Sequence, residues 1–95
     1  MIVGSTDQKF VVDVFKDISD YQEVYIMYIK PDKTTGSFLA TVTNISLGII
    51  EYEVVNATDI DIAGDWIFYA KITYTDLSIG YGQPFIKTAK NQGQL

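Results

Sequence analysis

The 95-residue chain contains no histidine, no cysteine and, with lysines making up all seven of its cations, no arginine. That excludes imidazole and thiol catalysis, zinc fingers and disulfide staples. A net charge of -5 argues against nucleic acid as a partner, because phosphate binding needs clustered cations and guanine readout favours arginine.

The length suits one domain, and 47% hydrophobic against 20% charged residues is the balance of a globular chain rather than a disordered one. Tyrosine, phenylalanine and β-branched residues are frequent and no segment keeps a 3.6-residue period, so the pattern favours strands. Residues 1–8, MIVGSTDQ, read as an N-terminal arm with no basic leader, and the expectation is a chain made in a cytoplasm. KFVVDVF, residues 9–15, places Phe10, Val12 and Val14 on one face. EVYIMYIK, residues 23–30, is apolar on both, with Val24, Ile26 and Tyr28 against Tyr25, Met27 and Ile29. VYIMYI, its core, is six residues long, where a membrane helix needs about twenty; no membrane partner is expected.

After the turn PDKTTG, the run SFLATVT, residues 37–43, turns Phe38, Ala40 and Val42 inward. NISLG leads into GIIEYEVV, where Ile50, Tyr52 and Val54 alternate with Glu51 and Glu53. WIFYAKITYT, residues 66–75, is the longest alternation, with Trp66, Phe68, Ala70, Ile72 and Tyr74 inward. DLSIGYG separates it from a last strand at residues 83–89, and residues 90–95 read as a polar tail. Six or seven short strands with turns every eight to twelve residues predict an all-β, immunoglobulin-like antiparallel β-sandwich over residues 9–89.

DIDIAGDW, residues 59–66, puts three carboxylates before a glycine and the only tryptophan. Three oxygen donors suggest calcium, but the spacing is not that of an EF-hand loop, and the alternation buries Ile60 and Ile62 while leaving Asp59 and Asp61 solvated. The stronger reading is a corner between two sheets, with Trp66 in the place a tyrosine takes in many sandwiches. Paired carboxylates for glycoside hydrolysis would need a cleft, for which so small a domain has little room. No metal, cofactor or catalytic residue is expected.

Two surface readings remain. Tyr21 and Tyr81 are loop aromatics that could stack on a sugar, or pack on their own hairpins. Phe15, Tyr25, Met27, Ile29, Leu39, Ile67 and Tyr69 fall opposite the core positions, where an isolated sandwich shows mainly polar residues. If they adjoin, they form a protein-protein interface.

The run KFVVDVFKDISDYQEVYIMYIKPDKTTG, followed by GIIEYEV and DIDIAGDWIFYAKITYTD, resembles small immunoglobulin-like domains of tailed-bacteriophage structural proteins, including the N-terminal domain of phage baseplate upper proteins. The likeness covers residues 9–86 and rests on the Asp-containing turn at 17–20, Lys-Pro-Asp at 30–32, Tyr52, and Asp61 with Gly64 and Trp66; Lys33 stands where a glycine often follows. The resemblance implies a non-enzymatic virion component of the baseplate, tail, neck or capsid. Its implied partners are other virion structural proteins, in a homo- or hetero-oligomeric assembly. A carbohydrate- or host-surface-binding module is the alternative.

Overall fold

A computed structural model describes residues 1–93 and contains eight strands and no helix. They are β1 (Lys9–Asp13), β2 (Tyr21–Ile29), β3 (Thr35–Leu39), β4 (Thr41–Asn44), β5 (Ile49–Glu53), β6 (Gly64–Tyr74), β7 (Ile79–Tyr81) and β8 (Phe85–Ala89). One antiparallel sheet has the order β1-β5-β4; the other runs β3-β2-β6-β7, with β8 also pairing β6. β8 lies along Gly64–Phe68 and β7 along Lys71–Thr73. These orders are those of an immunoglobulin-type sandwich, a B-E-D sheet on a C′-C-F-G sheet.

The count exceeds the expected six or seven for two reasons. The run at residues 37–43 is two strands: β3 belongs to one sheet and β4 to the other, and the chain crosses between them at Ala40, whose N–H donates to Val24 O at 3.0 Å. Inward alternation survives this crossing, so periodicity alone does not register it. β7 is only three residues long, too short to show a period.

The inward residues form a single core. Phe10, Val12, Val24, Ile26, Phe38, Ala40, Ile50, Val54, Trp66, Phe68, Ala70 and Ile72 are buried, as alternation requires, and Val14, Tyr28, Val42, Tyr52 and Tyr74 pack half-buried against them. Ile18, Ile60 and Ala89 join from loops and from the end of β8. Aromatic rings bridge the sheets: Phe10 to Phe68 at 4.7 Å, and Phe38 stacked on Tyr52 at 4.4 Å. Each such ring contributes about 1.5–3 kcal/mol by leaving water.

The turns repeat one device. The carboxylates of Asp17, Asp32 and Asp76 accept the backbone N–H two residues on, from Ser19 at 2.7 Å, Thr34 at 3.1 Å and Ser78 at 2.9 Å. The side-chain and backbone hydrogen bonds from these partners hold all three carboxyls below the usual range. Lys33 takes φ 73, a left-handed position that suits glycine. The segment before β1 folds back onto the domain: Val3 N–H donates to Lys90 O at 2.9 Å, and Met1 and Val3 pack against the core. Of the tail assigned to residues 90–95, residues 94 and 95 lie outside the described residues.

Candidate functional site

The acids of DIDIAGDW go to three separate partners. Asp59 accepts the Tyr52 hydroxyl at 2.6 Å, Asp61 pairs with Lys30 at 3.0 Å, and Asp65 accepts the Thr88 hydroxyl at 2.6 Å. Burial, and then the hydrogen bond to Asp59, push the Tyr52 phenol up to about 12. Asp61 holds the Lys30 ammonium above its usual range, and that ammonium also lies 5.5 Å from the Trp66 ring centroid. Among the described residues no group of three or more acidic side chains is placed to share a metal ion.

What the segment builds is a corner. Ile60 is fully buried and anchors its start. Gly64 has φ +126 and lies so close to Pro31 that a Cβ would fall 2.8 Å from that ring's Cβ and Cγ. Trp66, 0% exposed, donates its indole N–H back to Ile62 O at 2.9 Å. That is the closure a tyrosine hydroxyl supplies at the equivalent corner of other sandwiches.

The outer face of the five-stranded sheet gathers most of the remaining candidates, and strand register orders them in rows. The first row runs Thr35, Ile29, Ile67, Ile86; the second Ser37, Met27, Tyr69; the third Leu39, Tyr25, Lys71, Tyr81. Glu23, Thr73 and Ile79 close one end, and Asp65 with Thr88 the other. Tyr25, Met27, Ile29, Ile67 and Tyr69 are half-buried; Leu39 is 65% exposed. At strand spacings of about 4.8 Å and same-face spacings of about 6.8 Å, the three rows over four strands cover on the order of 400 Å². Thr35, Ser37 and Lys71 are polar positions within these rows, so the apolar part is on the order of 260 Å², just below the size of the largest apolar patch on a typical monomer.

Phe15 does not belong to this face. β1 belongs to the three-stranded sheet, so its residues do not reach this face; the strand also ends at Asp13, whose carboxylate accepts Phe15 N–H at 2.8 Å, and Phe15 turns at φ 58. Its ring, 83% exposed, instead lies by a shallow groove with Val11, Pro84, Phe85 and Lys87. The two tyrosines considered as a ligand pair also separate. Tyr21 opens β2 opposite Tyr74 and packs against the core, while Tyr81 ends β7 on the outer face, its ring 6.0 Å from that of Tyr69. Ile79, Tyr81 and Ile86 are additions to the apolar face that came from short strands, where only register reveals the side.

At the Glu23 end, the Tyr25 hydroxyl donates to the Glu23 carboxylate, which raises the phenol above its usual range. The contact fixes the Tyr25 ring along the sheet surface.

No family model, no curated protein and no solved structure matches this chain.

Proposed function

We propose that the protein is a non-enzymatic structural component of a tailed-bacteriophage virion, attached through the outer face of its five-stranded sheet. The observation that carries the reading is the row structure of that face. Tyr25, Met27, Ile29, Ile67 and Tyr69, with Leu39 at one edge and Tyr81 and Ile86 at the other, form an apolar surface that Lys71 interrupts between Tyr25 and Tyr81 and Ser37 interrupts beside Met27. A standard interface buries about 800 Å² per partner, apolar at its centre and polar around it. A patch of about a third of that size, rimmed by Glu23, Thr35, Thr73, Asp65 and Thr88, has those proportions. The phage setting comes from the resemblance of residues 9–86, and the lack of histidine, cysteine and arginine agrees with a role without catalysis.

The test is incorporation. Tyr25→Lys and Ile67→Lys should leave the fold intact, since both side chains point away from the core, and should abolish assembly into the particle; undiminished incorporation refutes the reading. The alternative, a carbohydrate- or host-surface-binding module, draws on Tyr69 and Tyr81 lying 6.0 Å apart beside Tyr25 on one face. It requires glycan binding that is lost in Tyr81→Ala, and silence across a glycan array removes it.

A further inference from the structure

Five strand edges have no strand neighbour among the described residues: β1 and β4 in the smaller sheet, and β3, β7 and β8 in the larger. Soluble proteins guard such edges with charge, proline, bulges or brevity, because an open edge templates pairing with another chain. β1 begins on Lys9 and ends on Asp13; β8 follows Pro84 and carries Lys87. β7 has three residues, and the four-residue β4 has a register shift between Val42 and Asn44. β3, TGSFL, carries none of these devices: no charge, no proline and an unbroken register with β2 over five residues.

Its hydrogen-bonding parity is set by its neighbours. Lys30 N–H donates to Thr34 O at 2.8 Å and Ala40 N–H to Val24 O at 3.0 Å, so the even-numbered residues turn their main chain toward β2. Thr35, Ser37 and Leu39 therefore direct N–H and C=O outward, beyond the sheet.

We infer that β3 is a pairing edge for a second copy of the chain, antiparallel about a two-fold axis at Ser37. Two features select a second copy. In the register centred on Ser37, all five residues of β3 are paired and the outward groups of both copies meet, giving about six N–H···O bonds. The edge is also uncharged on a chain of net charge -5, so like-charged copies can approach there with least repulsion.

A five-residue strand is about 17 Å long and buries less than a standard interface. The dimer is therefore weak and forms where copies are concentrated. Pairing in the plane of the sheet sets both apolar outer faces on the same side, side by side. This edge is a different surface from the docking face proposed above, and the inference does not depend on that reading.

Sedimentation from about 1 μM to about 1 mM, with thermal melts for each variant, tests it. The wild type should reach a dimer. Ser37→Pro removes an N–H that β2 does not use, and should weaken association by about tenfold or more while the variant still melts cooperatively. Position 37 opposes itself across the axis, so Ser37→Lys and Ser37→Asp should each weaken association roughly fivefold, and an equimolar mixture of the two should restore it. Should the proline variant not fold, the lysine and aspartate pair decides. Ile67→Lys, on the face but two strands from the edge, should leave the dimer unchanged. A monomer throughout, a mixture that associates no better than either variant, or a dimer lost in Ile67→Lys but kept in Ser37→Pro overturns the inference.

Discussion

Replacing Trp66 by phenylalanine removes one interaction that the corner reading requires and a metal-loop reading does not. The indole is fully buried between Tyr28 at 5.4 Å and Phe68 at 6.0 Å, and its N–H donates to Ile62 O. Phenylalanine leaves that carbonyl without its donor, which costs about 1–3 kcal/mol in a buried setting. It also removes about three ring atoms from a packed site, worth about 1 kcal/mol in lost burial and void. The expected loss is about 2–4 kcal/mol, a large part of the 5–15 kcal/mol typical of a domain. In a chain of this size that lowers the melting temperature by about 10–25 °C and the urea midpoint by roughly 2 M. Far-UV circular dichroism is the assay, since the substitution removes the only tryptophan and its fluorescence. A loss under about 1 kcal/mol refutes the corner as a stabilising element. Destabilisation of the wild type by a chelator shows instead that the acids hold a metal.

Gly64→Ala should also destabilise, by about 2 kcal/mol or more, because φ +126 is costly for any side chain and the new methyl would meet Pro31; a melt like that of the wild type contradicts this. Tyr52 offers a pH test. Its folded-state pKa of about 12 stands above the usual 10.0, so the protonated hydroxyl stabilises the fold below pH 10, and that contribution is lost as pH rises through 12. Ultraviolet titration should show a late-ionising phenol absent from Tyr52→Phe, and superimposable curves would count against the burial and the Asp59 contact.

Much of this molecule is legible in alternation. Trp66, Phe68, Ala70 and Ile72 are buried and Ile67 and Tyr69 face outward, as period two demands, because an 11-residue strand leaves the two faces no other assignment. The double apolar pattern of β2 announced a strand with an unusual exterior. What escaped has local causes. Phe15 is apart from the other face residues because its strand belongs to the other sheet, an assignment that periodicity does not carry, and the Asp13 carboxylate captures its N–H and ends β1 before it. The switch of sheets at Ala40 keeps the inside-outside pattern and so leaves no trace in it. Ile79, Tyr81 and Ile86 sit on strands of three and five residues, and only their pairing with Thr73, Lys71 and Ile67 decides their face. Ile18 reaches the core from a loop.

Attachment through the outer face, as proposed, requires that face to be covered in the assembled particle. Hydroxyl-radical footprinting compares the free chain with the intact virion at Tyr25, Met27 and Tyr69, with exposed Leu77 in the β6–β7 turn as the internal control. All three face residues should be oxidised in the free chain and protected in the virion while Leu77 stays reactive. Equal oxidation of the face in both states would refute attachment through it.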